Sequence, residues 1–429
     1  MYSNLQEKKV FIRGIIIWFL ATVFYFFDNL LNVSPSVMKP ELSAIFHLSA
    51  ADLGVLSSYY LWAYGLMQIP AGILMDKIGP RKLLAGASLL CAIGSFCFAS
   101  AQSIEIAQIG RVLIGLGASF AVVGCSKIAS VWFPVNKFAL FVGLMVSIGM
   151  FGAAFGLATV SYIVQLFTWR QAMYAGALIA AALSTLMWMI IRDYPVIKIQ
   201  AGSNQNFTKI PALKGLKKII ASRQVWVASI YAGLMFVPTL AFGCLWGVPY
   251  LAEGHGLSRE LSGCLVSLIF IGWVFGGPIY GCVSDYFRSR NIPMYVANIA
   301  TLIISIMLIY IKDISVPAIG VLMFALGLFS SGFILAFAVT KESNEHELSG
   351  TAIGFINTIN TFGGAVFQWI IGKILDVVAT DVVVASNGDR IFSYDNYQSA
   401  LVSIPICLII ALVTLFMLKE THCKTLDQD

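Results

Sequence analysis

The chain has 429 residues, of which 59% are hydrophobic and only 11% are charged, and its formal net charge is +6. Soluble globular proteins contain about 25% charged residues, so this composition excludes a water-soluble globular protein. Apolar stretches of about 20 residues, the length of a transmembrane helix, recur along the whole chain and indicate an all-α membrane protein.

The apolar stretches predict twelve transmembrane helices in two groups of six. The first stretch is not a cleaved signal peptide, because it contains Asp28 and many similar stretches follow it. A polar segment at 192–223 divides the chain into a six-helix bundle at 1–191 and a second bundle with its tail at 224–429. The predicted helices cover residues 13–35, 52–75, 82–101, 104–132, 138–168, 170–191, 224–251, 259–283, 292–311, 315–341, 349–376 and 397–418.

The distribution of Lys and Arg predicts that both termini face the cytoplasm, where basic residues accumulate. The positive charge is therefore a topology signal and does not indicate a nucleic-acid site. The basic stretch 209–223 in the central segment forms either an amphipathic helix on the inner leaflet or a solvated linker. The loop at 380–396 shows no motif. Most of the 27 Lys and Arg residues fall inside, and only five fall outside: Lys39, Arg170, Arg259, Lys312 and Arg390.

Enzyme and metal chemistry are not indicated by the sequence. It contains no HExxH or GxSxG motif, none of its eight cysteines forms a CxxC pair, and its four histidines lie at or beyond helix ends. We therefore expect the cysteines to be small apolar residues of the bundle, and we expect no cofactor and no metal.

A loop motif is repeated in the two halves. "GILMDKIGPRK" (72–82) follows the second predicted helix, and "GCVSDYFRSR" (281–290) follows the eighth. Such internal repeats are how many secondary transporters are built, whereas they disfavour a channel. The motif residues in the first half are Gly72, Asp76, Lys77, Gly79, Arg81 and Lys82, and Asp285 is the corresponding acid in the second half.

The first loop motif resembles the loop 2–3 signature of the major facilitator superfamily. "RVLIGLG" (111–117) resembles the fourth-helix signature of the same family, and "WFP" (132–134) and "TWR" (168–170) resemble its boundary motifs. The resemblance covers essentially the whole chain. It implies two six-helix bundles around a central cavity that opens alternately to either side, with the loop motifs acting in gating.

The resemblance also has implications for the protein's setting. It implies a monomer in the bacterial inner membrane whose partners are a small-molecule substrate, protons and the lipid bilayer. The fifth predicted helix has no Gly-Pro pair, so the antiporter signature of drug exporters is incomplete. "SPSVM" (34–38), taken with the "WFP" run, resembles a branch that includes phagosomal transporters of intracellular bacteria, which implies uptake of amino acids, nucleosides or related nutrients.

Asp28 is the only acid deep inside a predicted helix, and Arg111 is its expected partner. Each lies seven residues from the outer end of its helix, which places both about 10 Å below the outer surface. Charges in a bilayer are functional candidates by default. The pair resembles the arrangement in proton-coupled sugar symporters of the superfamily, which implies proton coupling; the alternative is a static salt bridge between helices one and four.

Polar side chains at helical spacing are candidates for lining the cavity, and the alternative is hydrogen bonding between helices. Lys127 either contacts the substrate or extends to the inner surface. A cavity rich in Tyr, Asn and Gln suits a small polar solute. The other candidate substrate-binding residues are Tyr25, Asn29, Tyr60, Tyr64, Gln68, Tyr231, Trp246, Asn357, Asn360, Thr361 and Gln368.

The sequence thus favours a proton-coupled importer of a small polar organic nutrient, such as an amino acid, a nucleoside or a sugar. The alternative is an exporter or antiporter of an organic anion or a siderophore-like metabolite, for which Lys127 and Arg111 would supply positive charge. The two hypotheses differ in the side of the membrane on which the solute accumulates under a proton gradient.

Overall fold

The N-terminal part of the chain folds into long helices. The computed structural model describes residues 2–194, 212–345, 348–379, 383–384 and 390–423. The helices before the central segment are α1 (Tyr2–Val37), the short α2 (Lys39–Phe46), α3 (Ala50–Ile78), α4 (Pro80–Ser100), α5 (Ile104–Trp132), α6 (Val135–Leu166) and α7 (Trp169–Ile190).

The C-terminal part is also helical, but two of its helices are irregular. The π-helical segments Pro238–Trp246 and Tyr250–Gly254 extend α9, and a 3-10 turn at Ser331–Ile334 joins α12 to α13. A hairpin pairs β1 (Val383–Val384) with β2 (Arg390–Ile391) in antiparallel register. The helices are α8 (Ala212–Ala221), α9 (Arg223–Met235), α10 (Arg259–Phe287), α11 (Asn291–Tyr310), α12 (Val316–Ser330), α13 (Leu335–Glu342), α14 (Ser349–Val378), α15 (Tyr394–Leu401) and α16 (Ser403–Phe416).

Local capping signals in the sequence explain where several helices begin. Ser49 accepts a hydrogen bond from the backbone N–H of Asp52, whose carboxylate accepts one from Ser49 N–H, and α3 starts there. Thr168 makes the same reciprocal arrangement at α7, and Ser393 makes it at α15. These capping boxes satisfy donors that the first turn of a helix leaves free.

Eleven helices of the described residues are long and apolar enough to cross a membrane. Large apolar side chains such as Leu178 and Phe416, each 73% exposed, cover the outside of the bundle, as lipid contact requires. Helix α3 is not among the eleven, because its serines, tyrosines and Gln68 lower its mean hydropathy. At 29 residues, about 43 Å, it is long enough to cross, and the twelve-helix count stays a prediction.

The central segment forms a helix over part of its length. In α8, Ile219 is fully buried and packs with Val225, Leu348 and Phe355, so this helix packs against the C-terminal half of the bundle. The predicted basic stretch therefore forms a helix at Ala212–Ala221, while residues 195–211 lie outside the described part of the chain.

The two halves of the chain pack together most closely at one end of the bundle, where α1 finishes and α3 begins. The charge distribution predicts this end to be extracytoplasmic, and it is called the outer end below. Helix α3 packs along α14, and α6 packs along α10. A Cβ atom on Gly54 would lie 2.5 Å from the Gln368 carbonyl oxygen, and one on Gly372 would lie 2.3 Å from that of Ala50. Glycines at these positions allow the two helix backbones to touch.

Several glycines toward the opposite, inner end of the bundle have free space around them. Gly72 on α3, Gly143 on α6 and Gly281 on α10 lie near the inner ends of their helices, and a Cβ atom on any of them would meet no other atom within 4 Å. Helices α3 and α14 stay in contact at least as far as Ile69, because a Cβ atom on Gly354 would lie 3.6 Å from Ile69 Cγ1.

Candidate proton and solute site

A buried group of three side chains lies between α1, α3 and α5. Asp28 is 2% exposed, Tyr60 is 3% exposed and Arg111 is fully buried. The Tyr60 hydroxyl donates a hydrogen bond to Asp28 Oδ1 at 2.5 Å, and the Arg111 guanidinium lies over the Tyr60 ring, 4.9 Å from its centroid. Tyr60 therefore contacts both charged groups.

Arg111 is held by main-chain oxygen atoms. Its two terminal nitrogens donate to the carbonyl oxygens of Leu31 at 3.0 Å, Asn32 at 3.4 Å and Ser57 at 3.3 Å. The first two carbonyls belong to α1 and the third to α3. Arg111 thus ties these two helices to α5, at a depth in the bundle where an unsatisfied guanidinium would be very unfavourable.

The predicted direct pair between Asp28 and Arg111 is not what the structure shows. The ion pairs within 4.0 Å in the described residues do not include these two side chains, because Tyr60 lies between them. The packing at Gly115 explains this arrangement. A Cβ atom there would lie 2.3 Å from the Tyr60 carbonyl oxygen, so glycine lets the α3 backbone approach α5 and brings the tyrosine ring over the guanidinium.

Polar side chains predicted to line the cavity meet beside Asp28. The Tyr60 and Tyr64 rings stack with 6.0 Å between centroids, and the Tyr64 hydroxyl lies close to the side-chain amides of Gln68 and Asn357. Asn357 belongs to α14 of the other half. The polar stripes of α3 and α14 therefore come together at the interface between the two halves.

Other candidate residues extend this polar region along α1 and α14. Tyr25 lies close to the Asn29 side chain, whose amide donates to the Tyr25 carbonyl oxygen at 2.8 Å. On α14 the Thr361 hydroxyl donates to the Asn357 carbonyl oxygen at 2.8 Å. Asn360 is 2% exposed and its Oδ1 atom has no hydrogen-bond partner in the described residues. Asn32 is not among the candidate residues named from the sequence, and its amide reaches Cys244 Sγ across the interface at 3.7 Å.

Three candidates from the sequence have other roles in the structure. Tyr231 is fully buried and its hydroxyl donates to the Met294 carbonyl oxygen at 3.3 Å, so it joins α9 to α11 and does not line a cavity. Trp246 is fully buried and its indole N–H donates to the Gln368 carbonyl oxygen at 3.0 Å. The Gln368 side chain donates to the Leu240 carbonyl oxygen at 2.9 Å. Trp246 and Gln368 therefore join the α9 extension to α14 by hydrogen bonds.

The position of Lys127 favours a side chain that extends to the inner surface over one that contacts the substrate. It lies 18 residues, or five helical turns, after Ile109 on α5, so the two share one face of the helix. Ile109 is 55% exposed on the perimeter of the bundle. Lys127 is half-buried near the inner end of α5, on this peripheral face and not on the face of Arg111.

The first loop motif forms a tight turn against the end of α7. Gly79 has φ +91°, and a Cβ atom there would lie 2.6 Å from Asp193 Oδ1, so only glycine fits. Asp193 also accepts a hydrogen bond from Arg81 N–H at 2.9 Å, while the Arg81 side chain donates to the Trp188 carbonyl oxygen at 2.8 Å. Lys77 and Lys82 are exposed, and the Asp76 side chain lies outside the described part of the structure.

The second half repeats this arrangement with an acid from the end of the chain. Glu420 accepts from Arg290 N–H at 2.8 Å, as Asp193 does from Arg81. Burial alone would raise the pKa of Glu420, but hydrogen bonds from Ser289 and from backbone N–H groups, including that of Arg290, lower it to about 2.

The predicted motif acid of the second half, Asp285, pairs with Arg290 at 2.9 Å. Arg290 also binds Glu342 at 2.6 Å. Asp193, Glu342 and Glu420 were not predicted from the sequence. Each lies at the inner end of a helix in the same half as the motif that it contacts, and this position is the signal that could have identified it.

The outer end is closed by a cluster named here the outer latch: Lys39, Glu253, Phe392, Tyr397 and the carbonyl group of Arg390. Lys39 is 2% exposed, and its Nζ atom lies 2.6 Å from Glu253 Oε1 and 2.9 Å from the Arg390 carbonyl oxygen. Glu253 Oε2 accepts from Phe392 N–H and from the Tyr397 hydroxyl, each at 3.0 Å. The outer latch joins the N-terminal half to the α9 extension and to the loop that the sequence left unassigned.

Comparison with known proteins assigns the fold to a family of transporters. The model of the Major Facilitator Superfamily matches residues 17–368. The transporter YybO of Bacillus subtilis, named as uncharacterized, is 24% identical over 88% of this chain and 91% of its own length. GarP of Escherichia coli K12, named a probable galactarate/D-glucarate transporter, is 22% identical over 87% of this chain and 91% of its own length.

Solved structures agree with the sequence comparison. The crystal structure of a bacterial homologue of the human lysosomal transporter Spinster, in an inward-facing and unoccupied conformation, matches with a TM-score of 0.74 at 14% identity. The match covers 95% of this chain and 97% of the other.

Proposed function

Since this chain belongs to the Major Facilitator Superfamily, we propose that it is a secondary active transporter that couples proton entry to import of a small polar organic solute. The family and the relatives are transporters, so the chain is a transporter and not an enzyme. The observation that carries proton coupling is the buried group of Asp28, Tyr60 and Arg111.

Asp28 is suited to bind and release a proton because its charge is supported by few groups. A carboxylate buried in a bundle is costly unless hydrogen bonds or an opposite charge stabilise it. Tyr60 supplies one hydrogen bond, and Arg111 acts through the Tyr60 ring and not by direct contact. Protonation of Asp28 removes the charge that holds the Tyr60 hydroxyl.

A continuous set of contacts connects this proton site to the interface between the halves. Tyr60 contacts Arg111, which holds the Asn32 carbonyl oxygen, and the Asn32 amide reaches Cys244 on the other half. A change in the charge of Asp28 therefore alters contacts on which the closed outer end depends. A proton shifts the equilibrium between outward-open and inward-open states to the extent that it binds one of them more tightly.

The test is accumulation of solute by proteoliposomes under an imposed pH gradient. A thermal-shift screen of amino acids, nucleosides, sugars and carboxylates at two pH values first identifies the solute, because a bound ligand raises stability by mass action. Asp28→Asn should keep solute exchange across the membrane and lose accumulation, whereas Asp313→Asn, at an exposed outer position, should accumulate solute like the wild type. Accumulation by Asp28→Asn at the wild-type level would refute proton coupling at this residue.

A second function is favoured by one observation, the similarity to GarP, which is named for a dicarboxylate substrate. In that case the protein would export or exchange an organic anion. The side on which solute accumulates distinguishes the two functions. An inward proton gradient concentrates solute inside if the protein imports it together with protons, and outside if the protein exchanges it for protons.

A further inference from the structure

We infer that the solute carried by this site is uncharged and bears hydroxyl or amide groups, and that it is not a dicarboxylate or an organic phosphate. This inference rests on the proposed function and specifies its substrate class. It follows from the positions of the basic side chains and from the kind of polar atoms that remain around Asp28.

Basic residues in the C-terminal half lie at helix ends, in loops or in the β-hairpin. Between residues 224 and 423 the Lys and Arg residues are found at 259, 288, 290, 312, 341, 373, 390 and 419, and none falls in the middle of a helix. Lys373, the nearest to a helix middle, is exposed toward the outer end of α14. This half of the site therefore offers an anion no positive charge.

In the N-terminal half, the deep basic side chain is engaged by the protein itself. Arg111 is fully buried, donates to three carbonyl oxygens and is covered by the Tyr60 ring. Its Nε atom has no partner in the described residues but is itself buried, so an anion could reach it only after the tyrosine moved. Lys127 faces the perimeter. A carboxylate or a phosphate entering between the halves would meet Asp28 without a free cation, and burying such a charge unpaired costs several kcal/mol.

The other polar side chains near Asp28 are uncharged hydrogen-bonding groups. Tyr64, Gln68 and Asn357 converge from α3 and α14. The hydroxyl group of Tyr64 and the side-chain amides of Gln68 and Asn357 can each donate and accept hydrogen bonds. Gln68 Nε2 is buried beside the Tyr64 hydroxyl without a hydrogen bond of good geometry, and Asn360 Oδ1 is buried without a partner in the described residues, so this polar region holds a weakly engaged donor and an unengaged acceptor. A hydroxyl group satisfies both kinds of atom, whereas a carboxylate satisfies only donors.

The experiment measures binding of matched pairs that share a skeleton and differ in charge. The purified full-length protein is mixed with D-glucitol or D-glucarate, with uridine or uridine 5′-monophosphate, and with glycerol or glycerol 3-phosphate, and its thermal unfolding is followed. In any pair of compounds of which one member binds, we expect the uncharged compound to raise the unfolding midpoint and the anionic compound to bind at least 100-fold more weakly. An anionic member that binds as tightly as its uncharged partner would overturn the inference.

A second arm asks whether positive charge contributes to binding. Lys127→Met should change the affinity for the uncharged solute less than twofold, and raising the ionic strength should leave it unchanged. A tenfold loss of affinity in Lys127→Met would overturn the inference by showing that a cation serves the site. Proton-driven, Asp28-dependent accumulation of an anion would also overturn it while leaving the proposed function standing.

Discussion

Replacing Lys39 by methionine is expected to open the outer end of the bundle. The Nζ atom of Lys39 is 2.6 Å from Glu253 Oε1, and both side chains are largely removed from solvent, with 2% and 11% exposed. Removing one partner of a buried ion pair costs about 3–5 kcal/mol, because the other charge stays buried without it. Glu253 keeps its hydrogen bonds from Tyr397 and Phe392, so we expect the loss of Lys39 to destabilise the closed outer end by about 3 kcal/mol, the lower end of that range.

That free energy is large enough to change the population of states measurably. Each 1.4 kcal/mol is a factor of ten in an equilibrium constant, so about 3 kcal/mol shifts the ratio of outer-closed to outer-open molecules about 100-fold. The pair of Arg259 and Glu41 is a matched control at the same end, since its side chains are 24% and 29% exposed at 2.7 Å. Solvent-exposed pairs contribute about 0–1 kcal/mol, and this pair is nearer to that case than Lys39 and Glu253 are, so Arg259→Met should shift the ratio less than Lys39→Met does.

The assay is a distance measurement between spin labels on the two halves at the outer end. Labels at Ile45 and Asp313 report this distance, in a background where the exposed cysteines Cys264 and Cys282 are replaced by serine. Lys39→Met should add a population at longer distance, and adding Glu253→Gln should reduce it because the unpaired charge is then gone. An unchanged distance in Lys39→Met, or an equal change in Arg259→Met, would refute the reasoning about the outer latch.

Three further predictions concern other contacts. Tyr60→Phe keeps the aromatic ring but removes the donor to Asp28, so proton-driven uptake should fall at least tenfold while solute exchange falls less than threefold; equal losses would contradict this. Gly372→Ala places a Cβ atom 2.3 Å from a backbone oxygen and should lower the thermal midpoint by several degrees, whereas Gly72→Ala, with open space around it, should change it little; equal shifts would contradict the packing argument. Because the pKa of Glu420 is lowered to about 2 from 4.5, its stabilisation is present above pH 4.5 and is lost as the pH falls toward 2. Glu420→Gln should therefore lower the free energy of unfolding by about 1 kcal/mol at pH 7, after discounting for solvent screening, with a smaller difference at pH 3; a difference that does not depend on pH would contradict the assignment.

Much of the fold follows from features that are local in the sequence. Long apolar runs and capping residues such as Ser49 and Thr168 place the helices, because helix hydrogen bonds and end caps depend on neighbouring residues. Depth along a helix is also local, and it placed Asp28 and Arg111 at the same level of the bundle. The position of Tyr60 between them depends on how closely α3 approaches α5 at Gly115, which sequence spacing does not report.

The misplaced candidates have physical reasons of their own. Trp246 lies in a π-helical segment, whose wider turn changes the face on which a residue lies relative to α-helical spacing. Tyr231 belongs to a helix buried on several sides, so hydrophobic pattern alone does not tell which side faces a cavity. The outer latch unites Lys39, Glu253 and Arg390 from distant parts of the chain, and only the fold brings them together.

Measuring proton movement shows whether solute entry carries a proton through Asp28. Proteoliposomes filled with a pH-sensitive dye and given no initial gradient receive the solute from outside. We expect the interior to acidify with the wild type and with Asp313→Asn, and not to acidify with Asp28→Asn even though the solute still enters. Acidification by Asp28→Asn at the wild-type rate, or solute entry by the wild type without any acidification, would contradict it.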